Sequence, residues 1–265
     1  IGLGIAGCIM QGILKNPLAS PYTLGISAGA SFGASLAIIG GAGIIGGDYL
    51  IIGNAFAFSL LVSLIIIGFA ARRGATPETM VLVGIAILYI FSAATTLLQY
   101  FGEETAVVQA VFWSVGSLDR ASWSKVMISG AVVALSIPLL MMKSWDMNLL
   151  TSGDDSAKSL GVNVNRIRIY TMAIISLMVS SIVCFTGTIG FIGLVAPHIT
   201  RIVIGTDYRY LIPASGIVGA ILVVGSDVIS RNVIPPIIIP VGVITAFMGG
   251  PLFLYLIMKR RMGYF

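Results

Sequence analysis

Apolar residues run through this chain in stretches that charged positions rarely interrupt. The uninterrupted spaces are 16–47, 49–71, 79–102, 126–142, 169–200 and 232–258. A helix needs about 20 consecutive apolar residues to cross the hydrocarbon core of a bilayer, and most of these spaces reach that length. Turn residues divide the longer ones. The pattern predicts helices over 1–14, 23–40, 50–71, 78–101, 124–142, 167–186, 190–204, 209–230 and 239–259, with short amphipathic pieces at 105–117 and 154–161. That makes nine membrane segments, the first incomplete. The chain opens at Ile1 inside an apolar run, with no charged flank or start methionine, so a further N-terminal portion is expected upstream.

Composition supports the membrane reading. Hydrophobic residues make up 57% of the chain and charged ones 9%, against about 25% charged in a soluble domain. Mean hydropathy is +1.04. The 32 glycines fit helices that pack backbone to backbone in lipid. The net charge of +5 resolves into a topology. Alternate loops hold Lys15; Arg72 and Arg73; Lys143, Lys158, Arg166 and Arg168; Arg201 and Arg209; and Lys259, Arg260 and Arg261, twelve of the fifteen basic residues. The other side holds Arg120, Lys125 and Arg231 with Asp48, Glu103, Glu104 and Asp119. Cytoplasmic loops are the Lys/Arg-rich ones, so the first set and the C-terminus are expected inside. No basic patch interleaved with aromatics points to nucleic acid.

Candidate chemistry is sparse. Cys8 and Cys184 lie in apolar runs and read as small core residues rather than a disulfide framework. One histidine, His198, with two distant cysteines gives no zinc or haem ligand set. There is no phosphate-binding Gly-rich loop and no Gly-Lys dipeptide. ATP would be handled by another chain, and no nucleophile–base constellation suggests an enzyme.

Four segments are too patterned to be filler. Residues 187–201 carry glycines at 187, 190 and 193, then Pro197-His198 and Arg201. Pro197 removes a backbone donor in an apolar run, which a membrane tolerates only where protein or water satisfies the freed group. Asn16-Pro17-Leu18-Ala19-Ser20-Pro21 bars a continuous helix, and Asn16 and Ser20 can cap the exposed ends. The following Gly25, Gly29 and Gly33 form a small-residue ridge, for helix packing or for the wall of a pore. Residues 7–34 and 187–220 are weakly alike and would be inverted relative to each other, as in transporter repeats. Residues 147–168 form the longest polar loop. Ser152-Gly153-Asp154-Asp155 there reads as a helix start and Gly161 as its stop, giving either a solvated connector or a surface for a soluble partner. Asp227 and Arg231 are spaced for a helical ion pair near the outer end of a helix, which reads as a local salt bridge or as an arginine for docking an acidic partner.

Taken together these residues resemble the permease subunits of the iron-siderophore, haem and cobalamin importers, the type II ABC importers. The resemblance rests on Met10-Gln11 leading to Asn16-Pro17-Leu18-Ala19 and Pro21, on Leu24-Gly25-Ile26-Ser27 with Gly29-Ala30, and on Gly190-Phe191-Ile192-Gly193-Leu194-Val195 with Pro197-His198-Ile199 and Arg201. Gly205, Asp207, Arg209, Leu211 and Pro213 continue it, as do Pro240-Val241-Gly242-Val243-Ile244-Thr245-Ala246 with Gly249 and Pro251. It implies an all-α polytopic fold of ten transmembrane helices, of which about nine are present and the first helix and part of the second are missing. It implies one permease domain over 1–265 with a cytoplasmic coupling loop at 150–163. Expected partners are a second copy of the chain, two cytoplasmic ATPase subunits carrying ATP and Mg, and an extracytoplasmic binding protein.

By position, the resemblance puts Ser156, Ala157, Leu160 and Gly161 in the helix that enters a cleft of the ATPase. Arg231 matches an outer arginine that pairs with a glutamate of the binding protein. Thr76 and Pro77 fall at the cytoplasmic gate, although proline departs from the small hydroxyl residue of some members. Asn16, Pro17, Gly25, Gly29, Gly193 and Pro197 fall along the pathway or its helix packing. The expected function is ATP-driven import of a metal chelate. An ion-coupled secondary transporter would need ionisable residues within the membrane segments, of which Asp227 is nearly the sole example. A non-transporting membrane scaffold is the other alternative.

Overall fold

A computed structural model describes residues 1–43 and 46–259, and all of its named elements are helices. They are α1 (Gly2–Ile13), α2 (Ile26–Gly40), α3 (Leu50–Arg73), α4 (Pro77–Phe101), α5 (Glu104–Ser114), α6 (Trp123–Met141), α7 (Ser144–Thr151), α8 (Asp154–Ser159), α9 (Val164–Thr186), α10 (Ile192–Ile204), α11 (Tyr208–Asn232) and α12 (Val241–Lys259). Five of them, α3, α4, α6, α9 and α11, are long and apolar enough to span a membrane. The helices α1, α2 and α10 and the stretch Val241–Leu254 of α12 are shorter and apolar. The nine apolar helices and both amphipathic pieces match the hydropathy pattern. Of the C-terminal basic cluster, Arg260 and Arg261 lie outside the described residues.

Helix boundaries follow from local chemistry. Thr76 caps α4, its Oγ1 accepting from the Thr79 backbone N–H at 3.2 Å, and Pro77 occupies the first helical position, where no N–H is needed. Asn163 caps α9 through the Arg166 N–H, and Asp207 caps α11 through the Arg209 N–H. Ahead of α2 the chain is irregular. Asn16 Oδ1 accepts from the Leu18 N–H, and Ser20 and Thr23 each accept the other's backbone N–H. These side chains bind their own turns instead of starting a helix, which delays α2 to Ile26.

The core is built around α1. Ile5, Ala6, Cys8, Ile9, Met10 and Ile13 are all at most 1% exposed, the pattern of a helix enclosed on every side. α1 packs on α9, α10 and α11. Contact is closest at Gly7, where a Cβ would fall 1.7 Å from the Gly193 carbonyl oxygen, and at Gly4, where it would fall 2.2 Å from that of Ser215. A second seam joins α2 to α3: Gly29 meets Phe58 and Val62, and Gly33 meets Asn54 and Ala55. Phe32, Phe58 and Phe91 close this seam with ring centroids 5.0 to 6.2 Å apart. The outward faces of α4, α6, α11 and α12 instead present Leu82, Tyr89, Leu135, Ile221 and Phe247, each more than 60% exposed. Apolar surface on this scale calls for lipid or another membrane subunit.

The break at Pro197 is repaired from α1. Proline offers no N–H to the Gly193 carbonyl one turn earlier. The buried Gln11 side chain donates from Nε2 to the carbonyls of Gly193 and Leu194, both at 3.3 Å. Gln11→Leu is expected to lower stability by about 1 kcal/mol, the worth of a hydrogen bond to an otherwise unpaired carbonyl. Denaturant titration of the purified protein measures this, and an unchanged midpoint would remove the role.

Candidate functional site

Side-chain contacts sort the loops onto two opposite faces. On the first, Lys15, Arg168 and Asp154 meet, Asn148 Nδ2 donates to Asp207 at 2.8 Å, and the Arg209 guanidinium stacks 4.3 Å over Trp145. The ends of α1, α3 and α10 thus share a face with α7, α8 and the start of α9. On the second face the Ser117 N–H donates to the Thr186 carbonyl and the Gly242 N–H to the Gly116 carbonyl. Lys125 and Arg120 lie there, and Arg231 pairs with Asp119 at 3.3 Å and Asp227 at 2.9 Å. For the loops named here, the alternation seen in the sequence is a physical segregation.

On the basic face, α8 is a short exposed helix closed in two ways. Gly161, at φ +86°, donates its N–H to the Lys158 carbonyl, and the Val162 N–H reaches the Ala157 carbonyl at 3.0 Å. This pair satisfies the last carbonyls of the helix. The four residues assigned to the coupling helix are not equivalent. Ala157 is fully buried and anchors α8 to the bundle, whereas Ser156 and Gly161 face outward and Leu160 is 64% exposed. Beside Leu160 a cavity of about 550 Å³ is lined by Lys143, Asp146, Leu149, Asn163, Arg166 and Tyr170.

Behind α8 lies a buried cation. Arg168 is 1% exposed and donates from Nε to the Ile13 carbonyl at 2.8 Å. Its Nη1 donates to the Ala75 carbonyl at 3.0 Å, and Nη1 and Nη2 form a fork on the Asp154 carboxylate at 2.8 and 2.9 Å. Lys15 Nζ reaches the same carboxylate at 2.5 Å. Burial pushes the Asp154 carboxyl up, but the hydrogen bonds and charges of Arg168 and Lys15 outweigh it and hold the group below the ordinary carboxylate range. A depressed carboxyl contributes stability above its unfolded value of about 3.9 and loses it only as pH falls below that, so the cluster is intact at neutral pH.

Between the faces runs a groove of about 270 Å³ formed by α2, α4, the end of α5 and residue 188. Its walls are Tyr22, Ser27, Ala28, Ser31, Ser35, Leu88, Ser92, Thr95, Gln99, Ser114 and Thr188. Eight of these carry a hydroxyl and none is charged. Tyr22 and Ser27 also line a smaller neighbouring cavity with Phe191 and Gly193. Phe191 sits at φ +66°, a left-handed conformation that costs a non-glycine residue about 1 kcal/mol or more.

The other sequence assignments fall as follows. Gly29 faces α3 rather than the groove, and Gly25 abuts Gly84 and Leu88 of α4. Gly193 and Pro197 belong to the α1–α10 contact, and Asn16-Pro17 form the turn after α1. Thr76 and Pro77 start α4, next to the Ala75 carbonyl that Arg168 holds. His198 is 5% exposed, with its ring 6.5 Å from that of Phe253. Sequence reasoning did not single out the hydroxyl stripe, although Ser27, Ser31 and Ser35 recur at the four-residue spacing of one helix face. It also missed α7, whose signal is Ser144, Met147 and Leu150 buried at intervals of three.

Residues 1–259 match the model of a family described as the FecCD transport family. A Methanocaldococcus jannaschii protein named as an ABC transporter permease is 47% identical over 268 residues, covering 98% of this chain and 77% of its own length. The hemin transport system permease of Yersinia pestis is 36% identical over 261 residues, covering 98% of this chain and 78% of its own. A solved inward-facing structure, described as a metal-chelate type ABC transporter, superposes with a TM-score of 0.90 at 30% identity, covering 98% of this chain and 82% of that one.

Proposed function

Because the chain belongs to the FecCD transport family and is a permease of an ABC importer, we propose that its cargo is a metal already enclosed by an organic ligand: an iron-siderophore, haem or cobalamin. The observation that supports this reading is the groove. Its walls offer hydroxyls and one amide, with no carboxylate, imidazole, thiolate or cation. A bare metal ion calls for such ligands, and an oxoanion calls for positive charge. A chelate brings its own ligands and needs only hydrogen-bonding walls. Relatives named for hemin and for metal chelates fit this chemistry.

In this reading the basic face is cytoplasmic and the cargo moves toward it. A second copy of the chain completes the pathway. Two ATPase subunits bind ATP and Mg, and this chain supplies no covalent step. Ser156 and Leu160 of α8 contact the ATPase, with Ala157 and Gly161 fixing the helix, and Thr76-Pro77 stand at the inner gate. Arg231 receives an acidic group of an extracytoplasmic binding protein, exchanging Asp119 and Asp227 for it.

The test is uptake into liposomes that hold the permease with its ATPase and binding protein. ATP-dependent accumulation of a radiolabelled ferric hydroxamate, hemin or cobalamin is expected, with no accumulation of chelator-free iron or molybdate. Uptake of the bare ion in preference to every chelate would overturn the reading. In the same system Arg231→Glu is expected to weaken binding-protein docking about 10-fold at low salt, with the gap narrowing as ionic strength rises. Unchanged docking affinity would remove that role.

A further inference from the structure

The buried Arg168 cluster joins three elements that are far apart in the chain. One guanidinium touches the last residue of α1 through the Ile13 carbonyl, the α3–α4 loop through the Ala75 carbonyl, and the first residue of α8 through Asp154. A buried cation is tolerated only when its donors are satisfied, and here four donor contacts fix the plane of the group. Arginine suits this because its donors form a rigid fork, whereas a lysine ammonium is a point charge on a flexible stem. Ala75 is bonded directly to Thr76, the cap of α4, and α4 carries the groove residues Leu88, Ser92, Thr95 and Gln99. A displacement of α8 therefore pulls on Asp154, turns or breaks the fork, and reaches the start of α4 through a single peptide, the helix whose later turns line the groove.

We propose that Arg168 is the positioning residue that converts movement of α8 into displacement of the start of α4, so that the inner end of the groove answers to the ATPase. This rests on the reading of α8 as the ATPase contact. Lys15 steadies Asp154 from the α1 side at 2.5 Å and sets the resting geometry.

The measurement is thiol accessibility in the assembled complex. Glu78 is exposed in the first turn of α4, while Cys8 and Cys184 are buried, so Glu78→Cys gives a reporter with little background. Its labelling by a membrane-impermeant maleimide is compared without nucleotide and with ATP and vanadate. Arg168→Lys keeps a charge for Asp154 but cannot also span both carbonyls. It is expected to assemble with the ATPase and turn over ATP, yet to reduce the nucleotide-dependent change in labelling about 5-fold or more, the scale of a coupling free energy of about 1 kcal/mol. A purely structural ion pair would be rescued by lysine, so a wild-type labelling response in Arg168→Lys overturns the proposal. Should Arg168→Lys not assemble, Asp154→Asn decides the matter, because it leaves the guanidinium both of its carbonyls. Loss of the response there supports the link, and a wild-type response overturns it. Leu160→Asp separates the two ideas. If it leaves ATPase binding intact, the reading of α8 fails. If it releases the ATPase while the Arg168→Lys response stays wild type, only the link fails.

Discussion

Gly7→Ala is expected to destabilise the bundle strongly and lower its folded yield. The added methyl carbon would lie 1.7 Å from the Gly193 carbonyl oxygen, 2.4 Å from its carbon and 2.5 Å from its Cα. All three are backbone atoms, so no side-chain rotation relieves the clash. The two backbones meet along a stretch, since a Cβ on Gly193 would in turn stand 3.1 Å from the Leu3 carbonyl of α1 and 3.5 Å from the Gly7 Cα. Separating α1 from α10 also breaks the Gln11 bonds that repair the ladder at Pro197. Overpacking in a dense core typically costs about 1–3 kcal/mol, and the loss of Gln11's two bonds adds about 1 kcal/mol more. That sum, about 2–4 kcal/mol, takes a large share of the stability margin of a small domain, about 5–15 kcal/mol, and is expected to cut the folded yield. Size-exclusion profiles and thermal unfolding in detergent measure it. Gly225→Ala is the control: nothing lies within 4 Å of its Cβ position, and alanine favours a helix over glycine. Equal yield and stability for the two variants would overturn the prediction.

Leu160→Asp is expected to abolish productive association with the ATPase without harming the fold. The side chain is 64% exposed, so the free permease loses little when it becomes polar. It is the large apolar group at the tip of α8, beside a charged cavity, which is the setting of an interface anchor. Such anchors are worth about 2 kcal/mol or more, or about 30-fold in affinity, and a buried carboxylate in place of the leucine adds its own desolvation cost. Co-purification with the ATPase and permease-dependent ATP turnover should both fall. An unchanged melting temperature confirms that the effect is local. Ala157→Asp should behave differently, because Ala157 is fully buried and α8 itself would come loose.

Much of the architecture was legible because membrane helices are long and their stop signals are chemical. Thr76-Pro77, Asn163 and Asp207 start helices where the hydropathy pattern changes, and Gly161 ends α8 as read. Boundaries slipped where side chains bind their own turns: Ser20 and Thr23 hold the chain irregular up to Gly25, so α2 begins three residues later than hydropathy suggests. The basic loops were countable, but burial was not. Arg166 and Arg168 look equivalent in the sequence, two residues apart, yet one faces solvent and the other is enclosed by Ile13, Ala75 and Asp154. Those partners are 155, 93 and 14 residues away, so no local pattern reveals them. The glycine ridge of α2 illustrates the same limit. Periodicity gives the face but not the neighbour, and the neighbour is α3, while the serines on the adjoining face line the groove.

The enclosure of α1 also has a consequence for biogenesis. Its surroundings, α9, α10 and α11, are made more than 150 residues after it, and ribosomes add about 5–20 residues per second. For several seconds the newly made α1 lacks the α10 carbonyls that Gln11 binds and the backbone that Gly7 meets, and the bilayer disfavours an unmatched polar group. Synthesis of α9 to α11, rather than insertion of α1 itself, locks α1 in place. A truncated or stalled product therefore displays an apolar helix with an unpaired glutamine, a mark by which membrane quality control can tell unfinished copies from finished ones.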